Sequence, residues 1–422
     1  MYLLLAAIIL CLCLAGGVDQ VKYRQQRGAA MRRWVFCICL LLFICASARV
    51  LWKTAKALVF AEPHPVTYLK RWDPGRAADY LDRREVWWQY WPAAQMSHKT
   101  TCISCHTVVP YAIVRSSLGR ELSEPGMPAP QKVLMASVET RVQNWSNMPP
   151  FYSDSVYGPG KTAESRATEA VLNAVILASY DAQHGHLRSI TRTAFDEAWA
   201  LQEETGENVG GWKWQNFHLA PFESVESGYL GAALLMLETD NAPDGYARQP
   251  QIQEHLVRLR NYLRIHYARQ PLLNQIHILW LSPQEPGLLT VAERTELVNA
   301  VRSHQQPDGG WSLPSLDHQA GQSRMGQLKQ RLVEFSKPSA SDGYATAVVV
   351  LALDATGMRD NDETLTGGLN WLESHQESDG SWRAYSLNAR LDPESDVGRF
   401  MRDAATAYAV MALENNALKS SQ

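Results

Sequence analysis

The sequence predicts an all-α fold: an α/α toroid, meaning a barrel of helical hairpins, behind a small segment built around one cysteine motif and an apolar N-terminal region. Three observations carry this. Helices apolar on every face alternate with amphipathic ones through the second half of the chain. Two of the turns between them repeat Gln, Gly and Trp at one spacing. The β-branched run Val348–Val350 is short and flanked by Ala, which is poor material for a strand.

Composition sets the frame. With 422 residues, 46% hydrophobic and 20% charged, the chain is globular and long enough for two or three domains. A net charge of −3 supplies no basic face, so nucleic acid is not an expected partner. The expected divisions are 1–55 for export or anchoring, 80–150 for the cysteine segment and 151–420 for the toroid.

Two apolar runs, Tyr2–Gly17 and Val35–Ala46, open the chain. Each is shorter than the roughly 20 residues of a membrane span. Met31-Arg32-Arg33, the second run and Ala46-Ser47-Ala48 form the basic start, apolar middle and small-residue cleavage site of a secretory signal. The other reading joins both runs as a membrane hairpin, with Lys22, Arg24, Arg27, Arg32 and Arg33 holding its loop in the cytoplasm. Both readings place the body outside the cytoplasmic membrane, soluble after cleavage or anchored. The signal is preferred.

Of seven cysteines, five (Cys11, Cys13, Cys37, Cys39, Cys45) lie in these runs, leaving the body Cys102 and Cys105. They stand in Cys102-Ile103-Ser104-Cys105-His106, a C-x-x-C-H motif of the kind that attaches c-type haem. Thiols at i and i+3 on one helical turn reach the two vinyl groups of a porphyrin, and the adjacent His lies under the iron. A zinc site would need two further ligands, and the body has no second Cys pair. A redox dithiol would want a βαβ context, which is not seen here. A disulfide between residues three apart is uncommon. For the other axial position, Met148 stands 42 residues after His106 and before Pro149-Pro150. Met127, Met96, His98 and an open position are the alternatives. Residues 85–150 resemble a short cytochrome c domain at the motif and only loosely elsewhere. After His106 the chain reads as apolar and then loop-like, with thin helical content.

From about residue 130 two kinds of helix alternate. Residues 166–181, 226–238, 271–282, 341–355 and 402–414 are apolar nearly all round and must be buried. The amphipathic kind shows as the stripe Ile252, Leu256, Leu259 and Leu263, as 290–306 opening on Thr290 and Glu293 in capping-box spacing, and as 360–376. In the last of these, Asp360 and Glu363 read as a cap. Residues 312–340 interrupt the alternation, as a lid or a partner surface.

The turns after two amphipathic helices carry Gln305/Gly309/Trp311 and Gln376/Gly380/Trp382, offset by 71 residues. Gln can bond free N–H groups at the next helix start, Gly allows the tight turn, and Trp packs outer helix to inner. A degenerate third copy runs from Leu201 to Trp214. This pattern resembles the QW motif of the squalene-cyclase and terpene-cyclase superfamily, over roughly residues 160–418. With the upstream motif, the chain resembles exported bacterial proteins that join a cytochrome-c-like segment to a squalene-cyclase-like toroid. Class II cyclases of that superfamily use a D-x-D-D acid, which is absent. Prenyltransferases of similar architecture bind zinc through a Cys, and the toroid has none.

What remains at the expected rim is Glu226, Asp342 and Asp403 at inner-helix starts, and Trp212, Trp214, Phe217, His218 and Phe222. Acids at helix starts are favoured by the helix dipole without any catalysis. As carboxylate pairs they would be candidate general acids. The expectation is therefore an exported protein with one covalent haem c and its iron, held by Cys102, Cys105 and His106, with Met148 opposite. It exchanges one electron with a periplasmic or membrane redox partner, or does redox chemistry on a ligand. The toroid binds an apolar small molecule, a lipid or another protein. The alternative is a non-redox cyclase, lyase or hydrolase using the rim acids.

Overall fold

The computed structural model describes residue 38 and residues 66–317, 340–358, 362–388 and 391–420. The N-terminal apolar runs apart from Ile38, most of the 312–340 insertion and Asp360 lie outside the described residues. Among the described residues the protein is all-helical, with isolated β-bridges and no strand, and no helix is long and apolar enough to cross a membrane.

From Thr67 onward the chain forms one compact unit. Its helices of ten or more residues are α1 (Pro74–Tyr90), α2 (Val108–Glu121), α3 (Ala129–Gln143), α4 (Lys161–His184), α5 (Ser189–Ala200), α6 (Ser227–Asn241), α7 (Pro250–His266), α8 (Leu272–Leu281), α9 (Val291–Ser303), α10 (Gly343–Ala355), α11 (Glu363–Ser374) and α12 (Phe400–Ser420). The even-numbered helices pack on one another in cyclic order: α2 on α4, then α6, α8, α10 and α12, which returns to α2. The odd-numbered helices lie against them, and α1 touches both α2 and α12.

Sequence pattern explains the two roles. Every residue of α10 from Gly343 to Asp354 is buried. In α7 burial is confined to Ile252, Leu256, Leu259, Tyr262 and Leu263, the amphipathic stripe. The Thr290–Glu293 capping box forms as expected. At α11 the cap is Asp362, which accepts from the N–H groups of Thr364 and Leu365.

The structure draws no seam at residue 150. Helices from both sides of it pack into the one unit. The stretch after His106 is also more helical than its sequence suggests. Pro110 falls in the first turn of α2, where its missing N–H costs nothing, and the helix runs on to Glu121. Asp73 caps α1 and Pro74 occupies its first turn, a start signal the sequence reading passed over.

Each Gln–Gly–Trp turn joins its own hairpin to the next odd-numbered helix. The indole N–H groups of Trp212, Trp311 and Trp382 donate to Ala198, Val301 and Leu372 carbonyls. The Gln amides donate to carbonyls of their own turns at Gly210, Gly309 and Gly380. Each also donates onward, Gln202 to His255 on α7, Gln305 to Thr364 on α11, and Gln376 to Asp73 at the start of α1. Gln376 Oε1 also accepts the Asp73 N–H at 2.6 Å, the one expected bond to a helix-start N–H seen here. The role of Gln is thus mainly to donate. The last turn treats α1 as the next helix in line, in keeping with the cyclic order of helix contacts.

Trp382 is fully buried, so Trp382→Ala is expected to cost roughly 3–5 kcal/mol in denaturant unfolding. Gly380 has φ +96°, and an added Cβ would lie 2.0 Å from the Arg76 carbonyl oxygen, whereas Gly357 has φ +76° with open space around it. Gly380→Ala should therefore cost well over 3 kcal/mol and Gly357→Ala only about 1. Equal losses would contradict the packing described.

Burial pushes the carboxyl of Glu238, on α6, from 4.5 up to about 8, partly offset by a hydrogen bond with Ser179. An acid whose pKa is higher when folded holds its proton more tightly in the native state. Its contribution is fully present below about pH 4.5 and is lost as pH rises through about 8. Thermal melts at about pH 5 and about pH 8 should show Glu238→Gln flattening this fall by on the order of 2 kcal/mol.

Candidate functional site

The C-x-x-C-H motif sits in the turn that leads into α2, not on a helical turn. Ser104 Oγ accepts the N–H groups of Thr107 (2.9 Å) and Val108 (3.2 Å), so the helix begins only after Thr107. Two further bonds pin this turn. Trp88 of α1 donates its indole N–H to the Cys102 carbonyl at 2.7 Å, and the Cys102 N–H reaches the Ala94 carbonyl at 2.8 Å.

Cys102, Cys105 and His106 all line one partly open cavity of about 320 Å³. Its walls come from the chain just before α2, the start of α4, the segment before α6 and the segment entering α12. Phe400 stacks on the His106 ring at 4.1 Å between centroids, and Trp88 meets it edge-on at 5.7 Å. Phe222 and Phe151 add apolar surface. Neither cysteine is in a disulfide.

Electrostatics follow from burial. It pushes the Cys102 thiol up to about 12 and the Cys105 thiol well above the ordinary thiol value. At neutral pH both are protonated and unreactive as nucleophiles, which weighs against a thiol enzyme or redox dithiol. Burial, aided by the Arg84 charge, lowers His106 to about 3, so its imidazole is neutral. Glu223 is raised by burial, with Lys161 opposing. Gln215, 3% exposed, has no hydrogen-bond partner at either amide atom. Both residues face the cavity.

Beneath the imidazole lies a buried polar node. Asp403 of α12 accepts from Tyr80 Oη (2.8 Å) and Arg84 Nε (2.8 Å) of α1 and from Thr107 Oγ1 (2.7 Å). His106 Nδ1 lies 3.0 Å from Thr107 Oγ1.

The expected site residues divide accordingly. Cys102, Cys105, His106 and, through Thr107, Asp403 come together. Asp342 caps α10, accepting from the N–H groups of Ala345 and Leu313, and is absent from the cavity wall. Glu226 precedes α6, takes a bond from Ser224 Oγ, and is likewise outside the wall. Met148 is buried, but its sulfur accepts from Ser97 Oγ at 3.2 Å, and only its neighbours Phe151 and Tyr152 reach the cavity. Met96, His98 and Met127 do not line it either, whereas Met401 does. Of the rim aromatics, only Phe222 does. Sequence reasoning missed Trp88, Thr107, Gln215, Glu223 and Phe400. The run Asp73–Trp88 with its cap and stripe was the one available signal.

The donor set suits a covalently held haem, with two reduced thiols, a neutral imidazole and an apolar wall. Among the described residues no group of three or more His, Cys, Asp or Glu is arranged to hold a bare metal ion. A cavity of roughly 150 Å³ takes one benzene ring. A porphyrin would exceed the enclosed space, and its remainder would have to lie through the open side. No protein-family model matches the chain, and comparison with curated proteins finds no match.

The Asp403 node depends on the charge of Arg84, whose side chain is 5% exposed. Arg84→Met should cost about 3–5 kcal/mol, because it strands a buried carboxylate. Arg76→Met, at an exposed pair with Asp73, should cost under about 1 kcal/mol. Urea unfolding of both variants checks the contrast.

Proposed function

We propose that this protein is a single-haem c-type protein built on an α/α toroid of the squalene-cyclase type, and that it passes one electron to or from a partner outside the cytoplasmic membrane. Cys102 and Cys105 hold the porphyrin and His106 is the iron's protein ligand. Bound there, haem supplies one-electron chemistry at its iron. The observation that carries the reading is the convergence of both thiols and the neutral imidazole on one aromatic-lined cavity.

The chain's own residues do the rest. Trp88 and Phe400 shield the imidazole from water. Trp88 also fixes the backbone of the motif through the Cys102 carbonyl. The cyclic order of α2, α4, α6, α8, α10 and α12 supports the toroid. The three bonding patterns at Trp212, Trp311 and Trp382 support the likeness to QW repeats. The cyclase, lyase or hydrolase alternative loses ground, since none of Glu226, Asp342 and Asp403 lines the cavity. Met148, bonded to Ser97, gains no support as the second axial ligand.

The test is expression of the full chain in cells with a haem-maturation system. Haem should stay with the protein through denaturing electrophoresis, and Cys102→Ala with Cys105→Ala should abolish it. A chain with intact cysteines and no covalent haem would end this proposal. Met148→Leu should leave the visible spectrum unchanged, including any weak charge-transfer band of a thioether–iron bond.

A further inference from the structure

We infer that Asp403, on the last helix, is a positioning residue that acts through the Thr107 hydroxyl to hold the His106 proton on Nδ1 and present Nε2 as a bare lone pair. The geometry of the node carries this. Thr107 Oγ1 donates to Asp403 Oδ2 at 2.7 Å, so its single hydroxyl hydrogen is committed. Toward His106 Nδ1, 3.0 Å away, that oxygen can only accept, and Nδ1 must be the donor.

One group competes. Ser104 Oγ stands 3.4 Å from Nδ1 and could donate to it, since its lone pairs already take the N–H groups of Thr107 and Val108. That contact is longer and lacks a charged partner, while the Thr107 bond ends on a carboxylate. Asp403 is kept as an acceptor by its other contacts. Arg84 Nε and Tyr80 Oη both meet Oδ1 at 2.8 Å. Arg84 is itself held by Asp396 through the carboxylate (3.0 Å) and the backbone carbonyl (2.7 Å). Every direction in the chain Arg84, Asp403, Thr107, His106 is thereby set.

The consequence for chemistry rests on the haem proposal, while the tautomer is a property of the chain alone. A carboxylate behind a ligating imidazole fixes ring orientation and raises ligand basicity. Here it is supplied from 296 residues away in sequence, relative to Thr107, so His106 is in its ligating form only when α12 has docked on α1 and α2.

The experiment uses the full chain, haem-free, with isotope-labelled histidine. The His106 ring signals are identified by their loss in His106→Gln. Long-range proton–nitrogen spectra should show the proton on Nδ1 in the unmodified protein. Thr107→Val should move the ratio toward Nε2–H by about tenfold, the effect of one hydrogen bond of ordinary net strength. Thr107→Ser should restore it. A proton on Nε2 in the unmodified protein, or no change in Thr107→Val, overturns the inference. The unmodified protein is decisive even if a variant misfolds.

A second arm measures the midpoint potential of haem-loaded protein. Thr107→Val should raise it by removing electron donation to the ligand, and Thr107→Ser should return it. An unmoved potential in correctly folded variants counts against the relay. Failure to attach haem would remove the proposed function and leave the tautomer result standing.

Discussion

The contact between Asp403 on α12 and the groups that α1 and the start of α2 bring to it is the point on which the remaining architecture turns. Tyr80, Arg84 and Thr107 come from α1 and the start of α2, and Asp403 from α12. A cyclic stack of helical pairs has two open ends until the end pairs meet, and each open end would expose a largely apolar helix face. Closure removes both faces at once. The polar node within that seam specifies the register, because a buried carboxylate left without Arg84 would be costly. The same closure brings Phe400 onto His106 and completes the cavity wall.

The Gln–Gly–Trp turns act between the odd-numbered helices of the same unit. Each Trp ties its turn back to the preceding odd-numbered helix, and each Gln bonds the following one. Gln376 shows the rule most clearly, since the helix it bonds is α1, some three hundred positions earlier in the sequence. The turn pattern that joins neighbours along the chain at Gln202 and Gln305 also joins α11 to α1 without any special chemistry. The left-handed glycine and the buried indole are consequences of how close these backbones approach.

Much of this was legible in the residues and some was not. The apolar helices at 166–181, 226–238, 341–355 and 402–414 stand out because a helix buried on all sides has no polar face to hide its identity. The hairpin of α1 and α2 did not stand out. Its lining mixes Arg84, Glu85 and Trp88 with small residues, and Pro110 reads as a break although it lies in a first turn. The region 80–150 therefore read as a separate segment. Spacing alone placed Met148 opposite His106, but Ser97 holds that sulfur, and Arg141 and Arg166 bond the carbonyls beside it. The three rim acids looked alike in sequence, each beginning an inner helix. Their surroundings separate them into a cap at Asp342, a flank of α6 at Glu226 and a buried node at Asp403.

By itself the sequence determined the helical class, the alternation of buried and half-buried helices, the stapled turns and the identity of the thiols and imidazole at residues 102–106. These are local properties, set by periodicity and by residue types within a few positions of one another. Tertiary structure alone decided that the cysteine motif leads into a helix of the same compact unit, that Trp88, Phe222 and Phe400 surround it, and that Asp403 stands behind His106. Those relations join residues up to some three hundred positions apart. Which of several equivalent acids or aromatics arrives is set by how the helices pack on one another, and no local pattern records it.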